Sequence, residues 1–242
     1  MAHLDSPPDL SHSCIVVAHP DDEVLWFSSV LDRVERVILC FEDCADYPLL
    51  GPGRRAVVDA YPLPNVSSLR LPEPCSVHLV DWSRPEWSDV GLRLNAPAAT
   101  AERSARYRST YDTLRAALAE PLRGTTTVFT HNPWGEYGHP DHVQLARVVE
   151  SLQPEHGFRL FFSGYIAHRT MPLAAAGLPR LGRWFELPTQ PELVAPIEAL
   201  YRRHGCWTWP VDYQRFATES FLEAGDARPA PGAGFRLNCV TA

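Results

Sequence analysis

The chain has 242 residues, 45% of them hydrophobic, enough to bury the core of one sizeable α/β domain. A formal charge of -7 and a pI near 5.8 argue against nucleic acid or an anionic membrane as a partner, since both demand a basic surface. All 22 basic residues are arginine, so Schiff-base chemistry, pyridoxal attachment and a Walker-type phosphate loop are excluded. G-x-S-x-G and G-x-G-x-x-G are missing too, which weakens the serine-hydrolase and dinucleotide readings and leaves a metal as the natural electrophile.

No window approaches the roughly 20 apolar residues of a membrane helix, and the opening "MAHLDSPPDLSHS" lacks the pattern of a signal peptide. The expectation is a cytoplasmic protein without membrane insertion. The six cysteines are scattered, with no C-x-x-C pair, and read as reduced and mostly buried thiols.

In chain order, β-branched runs bounded by turn signals predict strands at "CIVVA" (14–18), "RVILCF" (36–41), "SVHLV" (76–80), "TTVFT" (126–130) and "FRLFF" (158–162). Helical patterns lie between them. They are "DDEVLWFSSVLDRV", then "TAERSARYRSTYDTLRAALAE" with a stripe of Ala101, Ala105, Tyr111, Leu114 and Leu118, then "DHVQLARVVESL". This alternation predicts a doubly wound, mostly parallel, Rossmann-like sheet flanked by helices. Its ligand site is expected beyond the carboxyl ends of the strands, where strand order reverses.

The proline- and glycine-rich segment 42–75 reads as loops around one short helix, wrapping that site. After residue 163 the alternation fades into the helix "PELVAPIEALYRRH" and aromatic-rich irregular chain around "CWTWPVDYQRF". Residues 1–242 are taken as a single α/β domain. Residues 1–12 and 226–234 are expected to be frayed, and 165–242 to supply helical and aromatic elements that cap the site.

Two polar motifs stand out against this background. His19-Pro20-Asp21-Asp22 follows the first strand and opens a helix at about Pro20. Residues three apart share a helix face, so His19 and Asp22 can converge on one metal ion, while Asp21 is offset toward a water on that ion. Two ligands seldom hold catalytic zinc. The third is sought in "YGHPDHVQLARVV" (137–149), where another His-Pro-Asp begins a helix and His139 and His142 share a face; spacing leaves open which histidine is the ligand. An aspartate before a helix is more often only an N-cap, but two such motifs at strand-to-helix junctions are together specific.

"AHPDDE" near the start and "YGHPDH" about 120 residues later resemble the PIG-L (LmbE-like) family of metal-dependent N-deacetylases. The resemblance runs through roughly residue 165 and is strongest at the two motifs. It implies that His19, Asp22 and His142 hold a zinc ion, which iron or another divalent metal can replace in cells. It also implies that Asp21 is the general base, His139 the acid or electrostatic stabiliser, Asp141 the orienting partner of His139, and Tyr137 a mobile tyrosine near the oxyanion. Acetamide hydrolysis needs a strong nucleophile, oxyanion stabilisation and protonation of the departing amine. A metal ion, the Asp21 carboxylate and a His139 imidazolium favoured by Asp141 would supply them. One departure is "GRRAVVDAYPLP", where the family's arginine-to-glutamate helical pair becomes Arg54 or Arg55 followed by Asp59. Another is "SLRLPE", with Glu73 in place of an aspartate.

Arg55 and Trp134 are the candidate substrate contacts, Trp134 as a wall against a sugar face or, equally, a packed loop anchor. His131 is expected to bond backbone near the site, and Trp207, Trp209 and Tyr213 to fill the core rather than cap the site. The leading reading is removal of an N-acetyl or related N-acyl group from an amino sugar or glycosylated small metabolite. An amidase acting on a non-sugar or thiol-conjugate amide, and a non-catalytic binding protein of the same fold, are the alternatives. The expected partner is a small N-acetylated sugar or glycoside, with no nucleic acid; homo-oligomerisation is left open.

Overall fold

The structure is a computed structural model, and it describes residues 2–4, 6–225 and 235–241. Eight strands make the main sheet: β1 (Ala2–His3), β2 (Ser13–Val17), β3 (Arg36–Asp43), β4 (Val66–Pro72), β5 (Thr127–Thr130), β6 (Arg159–Ser163), β7 (Leu181–Pro188) and β8 (Thr218–Ala224). Their order is β1-β7-β8-β6-β5-β2-β3-β4. The run β6-β5-β2-β3-β4 is wholly parallel, whereas β8 is antiparallel to both β6 and β7. Among the described residues six α-helices accompany the strands: α1 (Asp22–Trp26), α2 (Leu50–Asp59), α3 (Ala101–Ala119), α4 (Pro140–His156), α5 (Met171–Gly177) and α6 (Pro191–Arg203).

The apolar strands are buried on both faces, as parallel strands under helices must be. Along β2, Cys14 and Val16 pack with Leu114 and Leu118 of α3 and Leu145, Val148 and Val149 of α4. Ile15 and Val17 pack on the other side with Trp26 of α1 and Val194, Ile197 and Tyr201 of α6. The period-two alternation of strand side chains thus separates two cores, one on each face of the sheet. From β2 the chain moves outward through β3 to β4, then returns to β5 on the other side. The strand order reverses between β2 and β5, and both polar motifs leave the sheet there.

Several elements differ from the sequence reading. "SVHLV" is a turn and bend, not a strand; Cys75, just before it, has a left-handed backbone (φ 57°), and the neighbouring edge strand is "VSSLRLP" instead. That strand is half-buried with mixed polarity, so no apolar run marks it. The first helix is five residues long and starts at Asp22, not Pro20. Ala101 and Ala105 are exposed, and the buried face of α3 is Tyr107, Leu114 and Leu118. Ala2–His3 pairs with β7 where a frayed start was expected, and 226–234 lie outside the described residues. Beyond 163 the sheet continues through β7 and β8. No helix among the described residues is long and apolar enough to cross a membrane.

Glu223 of β8 ties three strands together, accepting from Arg159 Nε of β6 and Arg183 Nε of β7, each at 2.7 Å. Burial would raise its pKa, but the two guanidinium groups outweigh this and lower it. A depressed carboxylate pKa adds stability above the unfolded-state value that is lost as pH falls through the folded-state value. Glu223→Gln is therefore expected to cost about 1 kcal/mol at neutral pH, kept small because both arginines are partly exposed. Urea unfolding should show the gap from wild type shrinking below about pH 4.

Candidate metal centre and catalytic cavity

His19 lies in the bend after β2, and Asp22 opens α1. The Asp22 carboxylate is held by the His19 backbone N–H (2.8 Å to Oδ2) and by Trp26 Nε1 (3.0 Å to Oδ1). From the other strand end, His139 caps α4, its Nδ1 accepting from the Asp141 N–H at 3.2 Å, with Pro140 at the first helical turn. Three residues on, His142 points back at the first motif.

Three atoms then form a near-equilateral triangle. His19 Nδ1 to Asp22 Oδ2, Asp22 Oδ2 to His142 Nε2, and His142 Nε2 to His19 Nδ1 are each 3.3 Å. Ligand atoms about 2.0–2.1 Å from a tetrahedral ion stand about 3.3 Å apart, so the residues fit a divalent metal. Other groupings in the cluster serve less well. His131 Nε2 lies 3.3 Å from Asp22 Oδ2, but its lone pair accepts the Ala18 backbone N–H (3.0 Å), as the backbone role expected for His131 implies. Glu73 lies 3.7 Å from His19 Nε2, and its carboxylate is engaged by Arg54.

Outer carboxylates set both imidazoles. Glu136 Oε2 sits 2.8 Å from His142 Nδ1, and Asp141 Oδ2 sits 3.3 Å from His19 Nε2, which leaves the opposite nitrogen of each ring facing the triangle. Ser163 and Ser76 donate in turn to Glu136 and Asp141. This corrects one expectation: the Asp141 carboxylate orients His19, and only its backbone N–H touches His139. Glu136 is a residue that sequence reasoning missed. It lies on no helix face, and it reaches His142 through a tight turn in which Gly135 has φ 76°, where a Cβ would stand 2.7 Å from the His139 carbonyl oxygen. Burial would raise the Glu136 pKa, but His131 and His142 outweigh it and bring it down to about 2.

Asp21 has a positive φ of 109°, a strained conformation for a residue with a side chain. Glu23 holds it there. The Glu23 carboxylate accepts the Asp21 N–H at 3.0 Å and, on its other oxygen, the hydroxyls of Tyr61 (2.7 Å) and Tyr201 (2.8 Å). Asp21 Oδ2 accepts both the backbone N–H (3.0 Å) and the hydroxyl (2.7 Å) of Thr208, leaving Oδ1 without a hydrogen-bond partner among the described residues. Burial, aided by the charge of Asp22, pushes Asp21 up to about 7. His139 is held well below the usual imidazole range, first by burial and then by His19, so its neutral form is favoured. With Nδ1 accepting from Asp141, its proton sits on Nε2.

These groups line a cavity of about 420 Å³ bounded by His19, Asp21, Asp22, Tyr137 and His139 on one side and Trp207 and Trp209 on another. Arg54 and Glu73 lie on its wall, as do Cys44, Asp46 and Tyr47 from the irregular segment after β3 and Leu50 at the start of α2. Tyr137 packs its ring 5.4 Å from that of His142 and 4.7 Å from that of Trp209.

The structure brings together His19, Asp21, Asp22, Tyr137, His139, Asp141 and His142. It leaves apart the two candidate substrate contacts. Arg55 points away to Glu42 and, at 3.4 Å, Asp43; the guanidinium on the cavity is Arg54, one residue earlier on α2. Trp134 is fully buried, donates to the Tyr165 carbonyl at 2.7 Å and is a loop anchor. Trp207, Trp209 and Tyr213 pack in or against one of the two cores, as expected, and Trp207 and Trp209 also border the cavity.

No protein-family model and no curated protein matches the chain. Solved structures do share its fold. The zinc-inhibited form of teicoplanin deacetylase Orf2 superposes with a TM-score of 0.56 at 12% identity, covering 91% of this chain and 100% of that one. The A40926 pseudoaglycone deacetylase Dbv21 gives 0.53 at 15% identity, over 92% and 100% of the two chains. A deacetylase–teicoplanin complex gives 0.52 at 14%, over 90% and 98%.

Glu136→Gln keeps the side-chain volume but removes the charge behind His142. Metal affinity is expected to fall by about 10- to 100-fold, measured by competition with a chromogenic chelator.

Proposed function

We propose that the chain is a zinc-dependent hydrolase that removes an N-acetyl, or closely related N-acyl, group from an amino sugar or glycosylated small metabolite. The observation that carries this reading is the 3.3 Å triangle of His19, Asp22 and His142 opening onto a cavity whose wall holds the Asp21 carboxylate. The shared fold with the teicoplanin deacetylase and the A40926 pseudoaglycone deacetylase supports the substrate class.

Zinc on these three ligands would supply Lewis acidity, lowering the pKa of a water and polarising the amide carbonyl. The chain's own groups do the rest. Asp21, poised near neutrality, takes the proton of the attacking water through Oδ1 while Thr208 fixes Oδ2. His139, as a neutral imidazole, donates its Nε2–H as a hydrogen bond to the developing oxyanion, and the proton that Asp21 took from the water passes to the departing amine. This differs from the imidazolium expected from the sequence, because burial and the charge of His19 outweigh Asp141, whose carboxylate faces His19. Tyr137 is a further donor on the cavity wall. Arg54 and the indoles of Trp207 and Trp209 offer a sugar both a hydrogen-bonding and an apolar surface.

Mass-spectrometric screening of N-acetylated glycosides should find one that loses its acetyl group. The activity should vanish on chelation and return with one equivalent of zinc; full activity in metal-stripped protein would sink the proposal. Asp21→Asn should lower kcat by at least about 10²-fold with metal content unchanged.

A further inference from the structure

Outside the triangle, the cavity wall carries a second set of metal-ligating atoms. Cys44 follows β3 and Cys75 follows β4, and their sulfurs stand 3.9 Å apart. Both thiols are almost wholly buried, and both line the catalytic cavity, whereas Cys14, Cys40 and Cys206 do not. Between them in sequence, Glu73 shares a hydrogen bond with the Cys44 thiol, and its carbonyl accepts from Cys75 Sγ at 3.7 Å.

The separation is set by the sheet. β3 and β4 pair as far as Asp43 and Pro72, and the next bond, Glu73 N–H to the Asp43 carbonyl at 2.8 Å, clamps the two strand ends where the cysteines emerge. Thiolates about 2.3 Å from a tetrahedral zinc ion stand about 3.8 Å apart, so these sulfurs are spaced for chelation. A disulfide would require them to close to about 2.05 Å.

We propose that Cys44 and Cys75, with Glu73 beside them, form a second cation site, selective for thiophilic divalent ions such as Zn²⁺ or Cd²⁺, on the wall of the catalytic cavity. Binding converts two thiols and a divalent ion into a neutral bis-thiolate complex and releases two protons to solvent. No net charge is added to the buried wall, and Glu73 remains neutralised by Arg54. Without an ion Cys44 stays a thiol, since burial and the charge of Glu73 push it up. Soft sulfur ligands select against magnesium and calcium. The site does not depend on the hydrolase reading.

The experiment loads the full chain, kept reduced and carrying Cys239→Ser to remove the exposed thiol, with one equivalent of Zn²⁺ and titrates it with Cd²⁺. A second equivalent should bind with thiolate-to-cadmium charge-transfer absorption, and Cys44→Ser or Cys75→Ser should each lose that absorption and weaken the second site at least tenfold. The first equivalent should be retained in both. Binding of one metal only, a second equivalent without thiolate absorption, or an unchanged spectrum in both variants would overturn the proposal. The stoichiometry and spectrum of the parent chain test it even if a variant folds poorly. Failure would leave the deacetylase reading standing, because zinc-restored acetyl release is read separately.

Discussion

Five carboxylates crowd into one small volume at the heads of β2, β4 and β5: Asp21, Asp22, Glu73, Glu136 and Asp141, all almost wholly buried. Among the described residues lining the cavity, Arg54 is the only arginine. So much buried negative charge is costly unless imidazoles are protonated or a cation arrives. The imidazoles are there, and burial that would lower the His19 pKa is overcome by Glu73, Asp141 and Asp22, which hold it up at about 10. A divalent ion at the triangle would relieve the same imbalance by displacing protons, which couples metal binding to pH. Most of the surrounding architecture can be understood as keeping these charges close without collapse.

The two strand ends share this work unequally. The first motif supplies two triangle atoms and the Asp21 carboxylate within four residues, and it needs a left-handed residue to do so. Glu23, with Tyr61 and Tyr201 donating to it, holds that backbone in place. The run of polar residues ending the first apolar strand is therefore one unit: His19 and Asp22 face the triangle, Asp21 faces the cavity, and Glu23 braces Asp21 from behind. The second motif contributes one triangle atom, His142, and the outer carboxylates behind both imidazoles.

The parallel strands β2, β3, β5 and β6 were legible because they are apolar runs buried on both faces, and their reversal point followed from the alternation of strands and helices. The two His-Pro-Asp motifs were legible because each sits at a strand-to-helix junction. What stayed hidden has no local period. β4 alternates weakly at a sheet edge, and β7 and β8 add antiparallel strands after the helix alternation has ended. Glu136 acts through a turn. Thr208 acts from a distant irregular segment that no spacing links to Asp21. Arg54 and Arg55 are neighbours in sequence, and only the helix rotation decides which one faces the cavity. Asp141 was placed correctly but paired with the wrong ring, since its position at the helix start lets the side chain swing across to His19.

The bond from Thr208 to Asp21 spans 187 positions of the chain. The triangle draws on residues no later than His142, but the Asp21 carboxylate takes its clamp from the segment beyond α6. A cut after α6 would therefore strip the clamp from Asp21 while sparing every residue of the triangle.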